Sequence, residues 1–424
     1  MCQRLAATGW HSGFLRNTLG PKDCAVLVRE LAQANRPTLI VLDYAETRIT
    51  TLLELLSQLL SQPQPQSLAQ TRPQTVRILL LARSSGEWWG HLPGINGRCE
   101  TLLTGRATTG PYPVPALYTD PALRQTAYAQ ALATFAGVLQ RPAPPVQPDL
   151  QAPAYDKPLF LHMAALLALL GERTESADAL PMALVRHEKR YWHRLARSAA
   201  PSYRDAQSVE KDSELLMALV TLVGSAARPQ DIEKLWQTAE GDAPPKPLFN
   251  ALAALYPGTQ GLSGLRPDLL GEALVAQQLL GSGSEALLHA VLGKAATPAQ
   301  RHHALTVLSR LLRDREDLFL PIENALTQHF SLCAKDIVKV ILQTPSRLPQ
   351  VAERSFQRLP MSLALPVAGQ LKNDFEHDVL PLNGLALRIF QTLNAQAEKR
   401  CKGTAKPSTD DKSGSDEFQV GCPA

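Results

Sequence analysis

Long apolar runs are the first thing this chain lacks. No stretch of its 424 residues reaches the roughly eighteen consecutive apolar positions a membrane-crossing helix needs. The start, with Arg4 and only a short interrupted apolar segment after it, does not read as a signal peptide. The six cysteines, Cys2, Cys24, Cys99, Cys333, Cys401 and Cys422, show no CxxC and no histidine pair at ligand spacing. That argues against a zinc module and predicts free thiols in a reducing, cytoplasmic setting. Aromatic residues make up only 5% of the chain, and the net charge is a mild +4 with basic residues interleaved among acids. No basic stripe offers itself to phosphates, so nucleic acid is not an expected partner. What remains is a helix-forming composition long enough for two to four domains.

The organising stretch is RPTLIVLDYAETR, residues 36 to 48. Thr38 to Leu42 is an unbroken apolar run opened by Pro37 and closed by an acid, the pattern of a strand buried in a parallel sheet. A carboxylate at the carboxyl end of such a strand faces the crevice where open α/β sheets bind ligands. Asp43 is there suited to hold a hydrated Mg²⁺ beside a phosphate, and Glu46 to orient a water. The plainer alternative is that Asp43 caps a helix starting near Thr47. A second run, Thr75 to Ala82, ends in Arg83 as the first ends in Asp43. A helix over Leu52 to Leu60 joins them, so a right-handed crossover predicts Asp43 and Arg83 on one sheet edge, the latter aimed at a γ-phosphate.

LIVLDYAETR, RILLLARSSGEWW, KPLFLHMAALLALLG, HEKRYW and LRPDLLGEALVAQ, in that order, resemble the NACHT-like branch of the bacterial STAND signalling NTPases over about residues 1 to 280. The resemblance implies Asp43 as the Walker B magnesium acid, Glu46 at the catalytic acid position, Arg83 as first sensor and Pro158 near the adenine. It implies ATP and Mg²⁺ as cofactors, a switch between a closed monomer and a homo-oligomer, and a role in defence or transcriptional control. One element of the pattern is missing. No GxxxxGK[ST] loop is present, and the nearest strings, at Gly20-Pro21-Lys22 and Gly293-Lys294-Ala295, lack the first glycine at the required spacing and the hydroxyl after lysine. MCQRLAATGW reads as the tail of the helix that follows such a loop, so the expectation is a chain that begins just past it and is inactive as an ATPase alone.

The predicted fold class is α/β followed by all-α. Residues 1–115 form a partial P-loop NTPase sheet, with helices packed by Cys24, Leu27, Val28 and Leu31, Trp88 and Trp89 as packing residues, and a proline-bounded edge strand within residues 101–115. Residues 116–200 form a helical lid: a helix from Pro121 to about Leu139, a proline-rich linker over 140–153, and a helix from Lys157 to Gly171 in which His162 is expected to be a core residue. His187 and His193 lie on different faces of the next helix and do not make a metal pair. Residues 201–282 give three helices and a glycine-rich turn, an order resembling a winged helix whose third helix, PLFNALAALY, has no basic residue to meet DNA. Residues 283–398 read as helices of about ten to sixteen residues, broken at Thr297-Pro298, Asp314, Thr344-Pro345, Leu359-Pro360 and Pro381, an α-solenoid-like array offering protein partners a long surface. Residues 399–424 read as a disordered tail. The competing class is a non-enzymatic helical-repeat interaction scaffold. A weaker third is a transcription regulator acting through the winged helix.

Overall fold

A computed structural model of the chain describes residues 2–16, 19–33, 36–61, 75–92, 110–144, 148–172, 174, 176–199, 206–241, 246–258, 261–375 and 380–404, with isolated positions between 97 and 103. It opens with a short helix α1 (Cys2–Ala7) and a strand β1 (His11–Phe14), continues through α2 (Cys24–Gln33), β2 (Thr38–Leu42), α3 (Ile49–Ser61) and β3 (Val76–Leu80), and closes this part with α4 (Gly86–His91). The three strands are parallel in the order β1-β2-β3, with Phe14 beside Val41 and Val41 beside Leu79. Because the strands run side by side in chain order, both crossovers carry their helices to the same face. There Ile40, Leu42, Ile78 and Leu80 pack against Cys24 and Val28 of α2, Leu52, Leu55 and Leu56 of α3, and Trp88 and Leu92.

The Asp43 strand is buried in a parallel sheet, as its apolar run predicts. β2 is central, paired on both sides, and all five of its residues are buried. The strand that covers it, HSGF, was not anticipated because it carries one large apolar residue, and that residue, Phe14, is exposed. The expected strand within 101–115 is corrected where it can be followed. Residues 110–116 are irregular, with Tyr112 and Val114 in solvent, while most of 101–109 lies outside the described residues.

The remainder is helical: α5 (Pro121–Leu139), α6 (Pro158–Leu169), α7 (Leu180–Ala199), α8 (Ala206–Val223), α9 (Glu233–Glu240), α10 (Lys246–Leu255), α11 (Asp268–Leu280), α12 (Ser284–Leu292), α13 (Pro298–Asp314), α14 (Phe319–Gln343), α15 (Leu348–Gln357), α16 (Met361–Leu371) and α17 (Asn383–Thr404). Three short antiparallel strands, β4 (Ser225–Ala226), β5 (Pro257–Gly258) and β6 (Gly261–Ser263), sit after α8 and α10 in the sheet order β4-β6-β5. One continuous apolar core runs from Ala127 to Ile389. Helix starts follow local chemistry: Asp120 caps α5 by accepting the Ala122 N–H at 2.8 Å, and Thr297 and Gln300 form a reciprocal capping box on α13. Gly171, at φ 76°, ends the α6 segment as a left-handed stop.

Three further expectations are corrected. The 25-residue α14 exceeds the expected helix length, because its buried positions, from Ile322 through Phe330 and Ile337 to Ile341, keep one stripe packed against α12, α13 and α15. The tail expected to be disordered from 399 is helical as far as Thr404, and 405–424 lie outside the described residues. His162 is exposed and meets Phe135 edge-on at 6.1 Å, since its neighbours Leu161 and Met163 occupy the buried stripe instead.

Gly261 makes the β5–β6 hairpin possible. It sits at φ 99°, and a Cβ there would fall 2.4 Å from the Ala226 carbonyl oxygen. Gly261→Ala combines a left-handed penalty with overpacking, and a loss of about 2 to 5 kcal/mol is expected in denaturant unfolding. A change below about 1 kcal/mol, within surface-substitution scatter, would show that the hairpin relaxes freely.

Candidate functional site

The carboxyl edge of the sheet meets the start of α11 and the body of α13. After β2 the chain turns at Tyr44, a non-glycine residue at φ 53°, and the Ala45 N–H bonds back to the Leu81 carbonyl at 2.9 Å. This turn decides where the flanking side chains go. Asp43 folds onto its own backbone, its Oδ1 accepting the Tyr44 N–H at 3.0 Å. It does not cap the following 3-10 turn, Ala45–Thr47, which has no side-chain cap.

Tyr44 and Arg83 point instead at Asp268, the first residue of α11. Asp268 Oδ2 accepts from the Arg83 Nη2 at 2.7 Å, the Arg310 Nη1 at 3.1 Å and the Tyr44 hydroxyl at 3.2 Å. Glu272, one turn along the same helix face, takes the other nitrogen of Arg83, its Nη1, at 3.4 Å and lies 3.9 Å from the same Arg310 Nη1 that donates to Asp268. The two guanidinium carbons lie 5.7 and 5.8 Å from the Tyr44 ring centre, so the ring is held by two cations as well as by its hydroxyl. Burial opposes the Arg83 charge, but Glu272 and Asp268 more than offset it and its pKa rises. For Arg310 burial and repulsion from Arg83 prevail, and its pKa falls. Both remain protonated at any physiological pH. Burial, then the Asp268 charge, pushes the Tyr44 hydroxyl upward.

Glu46 lies beneath this network. Its side chain is buried, and its Oε2 is without a hydrogen-bond partner. Burial raises its pKa, against the pull of the Glu46 and Arg83 backbone N–H groups and the guanidiniums of Arg310 and Arg83. On α13, His303 is a further neighbour, donating from Nδ1 to the Leu222 carbonyl at 2.9 Å, since a carbonyl can only accept. A Cβ on Gly224, at φ 95°, would come within 3.0 Å of that ring.

Of the four residues expected at a nucleotide site, the fold brings Asp43, Glu46 and Arg83 to one edge and leaves Pro158 elsewhere. Pro158 opens α6, whose principal neighbours are α5 and α7 in the larger core. Sequence reasoning missed Tyr44, Asp268, Glu272 and Arg310, although LRPDLLGEALVAQ contains both acids. It also missed Arg48, which donates to the carbonyls of Leu15, Arg16 and Leu19 and fixes the loop after β1. Arg124 plays the same part elsewhere, collecting the carbonyls of Tyr118, Thr119, Leu150 and Gln151 and the Asp156 carboxylate, and so closing the proline-rich loop over α5.

The residues present do not fit ATP with magnesium. Arg83 is already paired with two carboxylates, and among the described residues no lysine is recorded in contact with it to help hold a triphosphate. Among the described residues, no group of three or more His, Cys, Asp or Glu side chains is assembled to hold a metal. Comparison with known proteins returns no match: no protein-family model, no curated protein and no solved structure is similar to this chain. Among the described residues, no helix is long and apolar enough to cross a membrane.

Glu46 carries a pH signature. Its folded pKa lies above the value of 4.5 it has when exposed, so the folded state binds its proton more tightly than the unfolded chain. The charged carboxylate therefore costs stability above the folded pKa, and that cost fades as pH falls towards 4.5. Glu46→Gln is expected to raise the melting temperature at pH 7, with an advantage that shrinks on acidification. A Glu46→Gln protein less stable than wild type at pH 7 would show that the guanidiniums outweigh burial.

Proposed function

We propose that this chain is a regulatory switch module of the STAND type that works without hydrolysing nucleotide. On this reading the parallel sheet is a P-loop NTPase sheet without its phosphate loop. The α8 to β6 segment is a winged-helix-like unit, and α12 to α17 form a solenoid-like array that presents a surface to protein partners. The three donors converging on Asp268 Oδ2 are the observation that carries the proposal. They tie the strand ends, where an NTPase would bind its substrate, to helices more than 180 residues further along the chain, as a latch whose release would be the signal. Glu46 and Arg83 then serve as parts of the latch and not as catalytic groups, and Asp43 fixes a turn.

An interaction scaffold without a switch is the second reading. It is favoured by the exposed Met361 and Leu363 of α16 and Leu387 and Phe390 of α17, apolar side chains on neighbouring helices. DNA binding has less support, since α10 carries a single basic residue, Lys246, at its first position.

Two measurements separate these readings. Calorimetry of the full chain with ATP and Mg²⁺ is expected to give no complex at micromolar concentrations, because each charge-assisted phosphate contact contributes about 1.5 to 3 kcal/mol and the cradle is missing. Limited proteolysis of Arg310→Gln is expected to cut faster than wild type between the sheet and the array. A micromolar ATP complex overturns the nucleotide-independent switch, and unchanged proteolysis favours the plain scaffold.

A further inference from the structure

We propose that Tyr44, Arg83 and Arg310 form a receptor for an external oxyanion, a carboxylate or phosphoryl group, and that Asp268 is its internal occupant. The inference rests on the latch reading above and adds what opens the latch. One carboxylate oxygen takes three donors at 2.7, 3.1 and 3.2 Å, two of them from guanidiniums, the arrangement by which proteins bind free carboxylates and phosphates. The donors are held independently of the occupant. Tyr44 is fixed by its turn, both guanidiniums lie against its ring, and Glu272 is near both, taking the Arg83 Nη1 at 3.4 Å and lying 3.9 Å from the Arg310 Nη1, so the two cations keep a shared partner when Asp268 leaves.

Access is also present. The Asp268 side chain is 30% exposed and that of Arg83 is 34% exposed, so an oxyanion reaches them without unfolding of the core. Because Asp268 is the first residue of α11, its displacement frees the start of that helix from the sheet. An anion in solution and the Asp268 carboxylate compete for one set of donors, and the position of α11 reports which of them holds it.

The test is chemical rescue of the full chain with Asp268→Ala, and with Asp268→Asn as the variant that keeps the side-chain shape. Hydrogen exchange is followed at the amides of Leu269 to Ala273 and Leu81 to Arg83, with acetate as the carboxylate probe, inorganic phosphate as the phosphoryl probe, and chloride at matched ionic strength as control. Without added anion both variants should exchange faster than wild type at these amides. Acetate or phosphate at ten times its dissociation constant should slow the Leu81 to Arg83 exchange about tenfold, chloride should not, and Arg310→Gln in the same chain should abolish the effect. The stronger of the two probes names the source of the oxyanion. If the variants lose protection but respond equally to all three salts, the receptor proposal is overturned while the latch stands. If they keep wild-type exchange without any anion, Asp268 is not the occupant, and the latch falls with the proposal.

Discussion

One carboxylate oxygen, Asp268 Oδ2, is the point at which the sheet edge and the helices α11 and α13 meet through three donors. Tyr44 and Arg83 come from the sheet edge and Arg310 from α13, and each alone would be an ordinary polar contact. Together they concentrate opposite charges where water is partly excluded, and in such networks a lost member leaves its partners desolvated and unpaired. The network is not neutral around its edges. Glu46 lies below with an unpartnered oxygen and a raised pKa, and Arg310 is depressed by burial and by Arg83. A contact built from groups this strained by burial is suited to having more than one state, because small changes in charge decide its balance. A second contact, between α4 and α14, accompanies it, and Gly86 lies near Pro345, whose Cγ would be in ordinary van der Waals contact with a Cβ there.

Much of the scaffold was legible in the sequence for identifiable reasons. Thr38 to Leu42 could be read as a buried strand because a central parallel strand is apolar throughout, and its structure matches residue for residue. The helix from Pro121 to Leu139 was bounded by a proline at its start and the chain's own periodicity, and it too matches. The breaks at Thr297-Pro298 and Leu359-Pro360 fall at helix starts, where proline's missing N–H costs nothing, although Pro366 is tolerated inside the helix that follows the second break. HSGF was not legible: an edge strand with a glycine and one exposed phenylalanine has no apolar signature, and β1 exists because the β2 backbone offers it a ladder.

The site was legible only in part, for the same physical reason. Local pattern places Asp43, Glu46 and Arg83 at strand ends, because strand ends are local features. What those residues then bind is decided by chains of contact between positions such as Tyr44 and Asp268, 224 residues apart, and no local period encodes that. Arginine is the least legible of the types involved. Arg48, Arg124 and Arg310 all sit on helices or their borders, where the residue type is common on surfaces, yet each reaches inward to carbonyls or carboxylates. The STAND-like reading took Arg83 as a group waiting for phosphate, whereas in this chain two carboxylates already hold it.

The central claim is that sheet and array are energetically coupled through Asp268, and a double-mutant cycle measures it directly. Arg310→Gln, Asp268→Asn and the double variant of the full chain would be compared by denaturant unfolding. The account predicts a coupling energy of about 1.5 to 3 kcal/mol between the two positions, as expected for a charge-assisted contact with little exposure at Arg310. Losses that add to within about 0.5 kcal/mol would contradict it, because residues that add so simply do not share a network.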